Sequence, residues 1–206
     1  MPVHASSAAK TRLACALSQE ERSSLGLAML SDVLDALERT EEIGRIVVVT
    51  RDIKAAWLGA VEGARILSEG PSHGLNPAVR RGIRFAEREG TDQVLIVPAD
   101  VPLAKPRDFR RILRAGRGTN VVIVPSYDCG GTNALLLRPP SVMPVSYGRD
   151  SFKRHCRSAR KRGLKSRILK LSSLRVDIDT PLDLRRIRLA SGSTRSQKLL
   201  KRRFGY

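Results

Sequence analysis

Aromatic side chains are scarce in this chain: one Trp, three Tyr and four Phe among 206 residues. Proteins that hold single-stranded nucleic acid stack bases on rings set among cations. Here the few rings are not interleaved with the basic runs, which argues against such a platform. Acidic residues are also outnumbered, 20 against 38 Lys and Arg, for a formal charge of +18 and a pI near 11.1. Residues 151–176 carry ten basic side chains and no acid, and residues 191–206 add five more without one. A field of that sign draws polyanions of any kind. With nucleic acid disfavoured, the preferred reading is a solvated basic surface around a site for small phosphorylated ligands.

Long apolar runs are missing too. No stretch approaches the ~18 residues of a membrane span, and the N-terminus lacks a signal-peptide pattern. Cys15, Cys129 and Cys156 are odd in number, widely separated and without a C-x-x-C, which argues against a disulfide framework or a zinc site. A soluble protein of the reducing cytoplasm, with no membrane contact, is expected. His4, His73 and His155 show no ligand spacing and read as incidental. No Ser/His/Asp or Cys/His constellation can be assembled.

What is present is a set of acidic loops beside short apolar runs. Residues 95–103 read L-I-V-P-A-D-V-P-L, residues 128–137 D-C-G-G-T-N-A-L-L-L, and residues 176–181 V-D-I-D-T-P. The apolar runs have the length of buried strands, so Asp100, Asp177 and Asp179 project from strand ends, where carboxylates can hold a hard cation. Asp177 and Asp179, two apart on extended chain, point to the same side. Asp100 can instead cap the turn before Pro102, and Asp179 or Thr180 can cap the helix that Pro181 opens.

Strands and helices alternate around these loops. Ser18 with Glu21 forms a capping box, and Met29, Leu30, Val33, Leu34 and Leu37 then share one helical face. Strands are expected at 46–50, 64–67, 94–97, 121–124, 132–137 and 167–171. Asn76 and Pro77 read as an N-cap and first-turn pair, Pro106 opens a further helix, and a basic helix spans 151–162. With 41% hydrophobic residues the chain supports one α/β domain over residues 1–190. Its sheet is mostly parallel and covered on both faces, with ligands at the carboxyl ends of the strands. Residues 191–206 are expected to be a frayed, flexible basic tail.

Six motifs in order, A-K-T-R-L at 9–13, G-L-N-P-A at 74–78, P-A-D-V-P-L at 98–103, G-G-T-N-A-L-L-L at 130–137, G-x-x-S-F at 148–152 and D-I-D-T-P at 177–181, together resemble the 2-phospho-L-lactate guanylyltransferase family of coenzyme F-420 biosynthesis. The resemblance implies a Rossmann-like fold of the nucleotide-diphospho-sugar transferase type. It also implies transfer of GMP from GTP to the phosphate of 2-phospho-L-lactate or phosphoenolpyruvate, with release of pyrophosphate. A phosphate dianion is already nucleophilic, so the chemistry is positioning and charge neutralisation rather than base catalysis. By the same resemblance Asp100, Asp177 and Asp179 hold Mg2+. Lys10 and Arg12 grip the triphosphate, with Lys10 counted among the catalytic groups. Gly74, Leu75 and Asn76 contact the nucleotide, and Thr132, Gly148 and Ser151 hold the phospho-acid.

Each assignment has a plainer counterpart: two solvated cations for Lys10 and Arg12, a helix cap for Asn76, an N-cap for Ser151. Hand-off of the product to the next transferase and a homodimer are compatible partners. Two departures stand out. The hydrophobic first strand is nearly missing, so that the sheet has an incomplete first strand or translation starts upstream, and His4 stands where the family has lysine. No motif distinguishes 2-phospho-L-lactate, placed first, from phosphoenolpyruvate or 3-phospho-D-glycerate. Other nucleotidyl- or glycosyltransferases of the same fold, and a basic nucleic-acid-binding protein, are the competing classes.

Overall fold

Short apolar runs become the strands β1 (Val47–Val49), β3 (Val94–Ile96), β4 (Val121–Pro125) and β5 (Thr132–Leu137), of which β4 and β5 are buried on both faces, while β2 (Arg65–Leu67) is partly exposed and β6 (Ser166–Ile168) is exposed throughout. The helices are α1 (Gln19–Glu38), α2 (Ile53–Val61), α3 (Leu75–Arg88), α4 (Pro106–Gly116), α5 (Ser151–Lys161), α6 (Pro181–Leu189) and α7 (Arg195–Phe204). This computed structural model describes residues 1–2, 10–70 and 74–204. His4, residues 5–9 and His73 lie outside the described residues. No described helix is long and apolar enough to cross a membrane.

Four strands form a sheet in the order β3-β5-β4-β6. β5 runs antiparallel to β3 and to β4, and β6 runs parallel to β4, so three of its strands share one direction. Alternation along β4 explains its two-sided burial. Val122 and Val124 join Val33, Leu37, Phe109 and Ile112 from α1 and α4, whereas Val121 and Ile123 join Val79, Ile83 and Ala159 from α3 and α5. The result is an α/β/α sandwich of Rossmann type. β1 and β2 form a separate parallel pair.

The first strand is incomplete in the described residues. Pro2 makes one parallel bridge to Val49, the Val49 N–H donates to the Met1 carbonyl at 2.9 Å, and the Met1 nitrogen donates to Val47 O at 2.6 Å. Beside this contact, between β1 and β3, opens a cavity of about 590 Å3 lined by Met1, Ile46, Val47, Leu95, Val97 and Leu136 among others.

Three local expectations need correction. Gly74, at φ 103°, occupies the N-cap of α3, which places Asn76 inside the first turn rather than at the cap. β6 ends at Ile168 instead of reaching residue 171. The stretch expected as a frayed tail instead contains α7, whose Leu200 is buried in a cluster with Leu25, Met29, Leu184 and Ile187. Its first turn is held by Asp32 of α1, which accepts from the Arg195 and Ser196 N–H groups at 2.7 and 2.9 Å and from the Ser196 hydroxyl at 2.6 Å. The capping box at Ser18 forms as read, with Glu21 N donating to Ser18 Oγ and Ser18 N to Glu21 Oε2.

Candidate active site

Two acidic loops meet beyond the carboxyl end of β3. The Ile178 N–H donates to the Asp100 carbonyl at 3.1 Å, tying the loop after β3 to the segment before α6. Ile178 itself is fully buried among Leu13, Leu17 and Ile187. With Ile178 facing the core, Asp177 and Asp179 are left on the opposite side of the strand-like segment, towards Asp100.

Lys10 closes the cluster. It has left-handed backbone (φ 59°) just before the 3-10 turn Thr11–Leu13, whose Leu13 is anchored in the core. The Lys10 ammonium donates to Asp100 Oδ2 at 2.6 Å and to Asp179 Oδ1 at 2.6 Å, with its side chain only 15% exposed. Burial by itself would make this ammonium easier to deprotonate. The charges of Asp100 and Asp179 outweigh that and hold it above its ordinary value. Lys10 is therefore no solvated surface cation, whereas Arg12 is exposed.

Asp177 lies slightly apart. Its Oδ1 accepts from Asn133 Nδ2 at 3.2 Å, and the same amide donates to the Leu174 carbonyl at 2.9 Å. Burial, followed by the charge of Asp100 and a smaller push from Asp179, raises its carboxyl to about 6, against the opposing hydrogen bond from Asn133. Excess negative charge at this point favours an added cation. Among the described residues no group of three or more His, Cys, Asp or Glu side chains is gathered tightly enough to cage a metal by itself. Asp179 does not cap α6. Thr180 is the N-cap, one of the two caps that the motif allows, and Asp183 at the third helical position completes a capping box by accepting from the Thr180 N–H at 2.9 Å and the Thr180 hydroxyl at 2.7 Å. Asp128 spends its carboxylate within its own loop, on Ser126 Oγ and the Gly130 N–H, and takes no part.

A second polar cluster lies on the other face of the sheet. Val124 pairs with Ala134 but Pro125 pairs with Thr132, so Asn133 is an extra residue, a bulge at the start of β5. The bulge breaks the strand's alternation. Asn133 turns to Asp177, while Thr132 turns to α5, where its hydroxyl oxygen accepts from Ser151 Oγ at 3.3 Å and lies 3.0 Å from His155 Nδ1. Gly148, at φ 109°, a value that side-chain-bearing residues rarely adopt, accepts from the Ser151 N–H at 3.0 Å. Asp150, not Ser151, occupies the N-cap of α5. Thr132, Gly148 and Ser151 thus come together as the motifs imply. Arg149 and Lys153 pair with Asp150 at 3.8 and 3.4 Å.

The segment 74–76 is joined to this cluster. The Tyr147 N–H donates to Asn76 Oδ1 at 2.7 Å and Asn76 Nδ2 donates to Tyr147 O at 3.1 Å, a clamp between the first turn of α3 and the 146–148 loop. Arg154 adds a donor to the same carbonyl at 3.1 Å. The Leu75 side chain packs on the cluster that holds Val79 and Tyr147, and its backbone N–H belongs to the first turn of α3, whose donors have no partner within the helix. Asn133 and Arg154 carry no assignment in the sequence, and His155, which reads there as incidental, instead bridges Thr132 and Ser146. Asn133 stands inside the quoted G-G-T-N motif, so a signal existed; for the other two only the helical spacing from Ser151 hints at an inward face.

Comparison with known proteins adds names to this geometry. The guanylyl transferase CofC-like family model matches residues 1–205. A phosphoenolpyruvate guanylyltransferase from Sphaerobacter thermophilus is 38% identical over 184 residues, 89% of this chain and 88% of its own length. A 2-phospho-L-lactate guanylyltransferase from a Methanocaldococcus species is 36% identical over 201 residues, 98% of this chain and 85% of its own. Among solved structures, a protein from Desulfovibrio desulfuricans assigned to the nucleotide-diphospho-sugar transferases superposes with a TM-score of 0.77 at 18% identity, covering 96% of this chain and 89% of that one.

Proposed function

The chain belongs to the CofC-like guanylyl transferase family, and from that premise we propose that it joins GMP from GTP to the phosphate of a three-carbon phospho-acid, 2-phospho-L-lactate or phosphoenolpyruvate, in coenzyme F-420 biosynthesis. The acceptor phosphate oxygen forms a bond to the α-phosphorus of GTP, and the bond from that phosphorus to the bridging oxygen breaks. Pyrophosphate carries the electron pair away.

The observation that carries the reading is Lys10 held between Asp100 and Asp179. A cation already sits between two hard carboxylate oxygens, which is the donor set Mg2+ takes, usually with one or two carboxylates and the remaining positions filled by substrate phosphates and water. Asp100 and Asp179 would hold the ion, and Asp177 would contribute as its proton leaves. The ion supplies charge neutralisation on the triphosphate. With its carboxylates so occupied, Lys10 would turn from Asp100 and Asp179 to the triphosphate, keeping positive charge beside the reacting phosphorus. Arg12 adds potential at the mouth, and residues 74–76 present backbone donors to the nucleotide. Thr132, Gly148 and Ser151 receive the phospho-acid across the sheet edge, so the bulge at Asn133 sets the spacing between the two substrates.

The reading places the enzyme in the cytoplasm, which agrees with the free thiols of Cys15, Cys129 and Cys156. The product passes to the next transferase of the pathway. The test is pyrophosphate release from GTP with each of 2-phospho-L-lactate, phosphoenolpyruvate and 3-phospho-D-glycerate, coupled to that next enzyme, with and without EDTA. Release is expected only when both Mg2+ and one of the acids are present. Release without an acid, or equal release from CTP, would overturn the reading.

A further inference from the structure

His155 is fully buried on the inner face of α5, one helical turn after Ser151. Its ring stacks edge to face on Tyr147, with centroids 5.0 Å apart and planes at 71°. Its two nitrogens have different partners: Nε2 lies 3.0 Å from the Ser146 backbone nitrogen and Nδ1 3.0 Å from Thr132 Oγ1.

The backbone partner decides the tautomer. An N–H group can only donate, so Nε2 must accept, and in a neutral imidazole the proton then resides on Nδ1. Burial, reinforced by the adjacent Arg154 charge, lowers the pKa to about 4, which keeps the ring neutral near neutral pH. Nδ1–H therefore donates to Thr132 Oγ1. The hydroxyls of Thr132 and Ser151 own two protons, and the 3.3 Å bond between them uses one. Whichever hydroxyl gives to the other, one proton is left over. With the opposite tautomer, Nδ1 would accept, and that last proton would be consumed by the ring.

We propose that His155 is a positioning residue for the acceptor substrate: it holds the Thr132–Ser151 hydroxyl pair as a hydrogen-bond donor, which selects a fully ionised oxyanion, carboxylate or phosphate, over a protonated or neutral group. The inference rests on Thr132, Gly148 and Ser151 being the phospho-acid site.

Two substitutions separate this role from simple packing. In H155Q the amide oxygen can still accept from Ser146 N–H, but the donor to Thr132 is lost. In H155N the amide nitrogen lies near the former Nδ1 and can still donate. H155Q is expected to raise the KM for phosphoenolpyruvate up to about tenfold, the upper value for one lost hydrogen bond between neutral groups, with the KM for GTP unmoved. H155N is expected to recover most of that loss. Independently of turnover, 15N NMR of the ring-labelled, unsubstituted protein is expected to show His155 with its proton on Nδ1, and its signal should shift when phosphoenolpyruvate is added. A proton on Nε2, or KM values for acid and GTP that rise together in both variants, would overturn the inference while leaving the enzymatic reading intact. No turnover by the unsubstituted protein with any of the three acids would overturn that reading and this inference with it. Should H155Q fail to fold, the tautomer measured in the unsubstituted protein decides alone.

Discussion

Lys10 concentrates the electrostatics of the site in one side chain. Its ammonium satisfies two carboxylates that would otherwise repel each other across the loop junction. Lys10→Met removes that cation and leaves Asp100 and Asp179 facing a gap. The variant is expected to lose about 1–3 kcal/mol of stability in EDTA, below the cost of breaking a fully buried pair because Asp179 is 45% exposed. Mg2+ should then raise its Tm more than it raises that of the unsubstituted protein, since the ion no longer competes with an ammonium. An equal Mg2+ response in thermal melts would argue against a shared cation position.

Asp177 gives a second residue-level prediction. A carboxyl whose pKa in the folded state, about 6, exceeds its unfolded value of 3.8 contributes stability that is fully present below the unfolded value and lost as pH rises through the folded one. At neutral pH the ionised Asp177 is thus a cost to the metal-free protein. Asp177→Asn keeps an oxygen for the Asn133 amide and removes the charge. The metal-free variant should gain about 1–2 kcal/mol near pH 7, less than the full shift would give because the side chain keeps some solvent contact, and the gain should vanish below about pH 4. Pyrophosphate release should fall at least about 100-fold, as for loss of a group that stabilises transition-state charge. Urea titrations across pH together with the release assay check both parts; a destabilised variant at pH 7 would contradict the assigned environment.

At the scale of elements, the first turn of α7 leans on a residue far away in sequence as well as on its own Thr194–Gln197 pair. Asp32 is 8% exposed and receives three hydrogen bonds from the first turn of α7. Asp32→Ala leaves two backbone N–H groups and a hydroxyl without their acceptor, at an expected cost of about 2–3 kcal/mol, with KM values for GTP and acid unchanged. Chemical denaturation monitored by circular dichroism measures it.

This dependence also shows what the sequence could tell. Elements written in local chemistry were legible: the Ser18–Glu21 box, the Pro106 and Pro181 helix starts, and the apolar runs that became β4 and β5. α7 was not, because its five basic residues mask a single buried stripe; Thr194 and Gln197 do cap its start locally, but Asp32 of α1, which accepts from two more of its N–H groups, cannot be read from spacing. The site followed the same rule. Lys10, Asp100 and Asp179 stand in separate motifs, and their meeting depends on the Ile178 to Asp100 hydrogen bond, which no spacing encodes. Strict alternation along 132–137 would send Thr132 to the face of α1 and α4. The bulge at Asn133 sends it to α5, and bulges have no residue signature here.

For the whole molecule the open question is mechanical continuity. The β1-β2 pair and the β3-β5-β4-β6 sheet would read as one twisted sheet if a strand lay between β1 and β3, and the cavity of about 590 Å3 occupies that place. Met1 and Pro2 pair along β1, at Val47 and Val49. A strand there would face both helical layers, since α1 covers Ile46 from one side and Val79 and Ile83 line the cavity from the other. An N-terminal extension of eight to ten residues, Val- and Ile-rich on both faces, would pair with both strand edges. Each buried Val or Ile contributes roughly 1.5–3 kcal/mol, against about 1–2 kcal/mol for ordering each backbone unit, so the hydrogen-bonded ladder decides a small net gain. For a domain of this size such a gain corresponds to a rise in Tm on the order of 5 °C. A Gly/Ser extension of equal length serves as the control, and calorimetry compares the two. If both extensions melt with the unextended chain, the cavity is not a strand position.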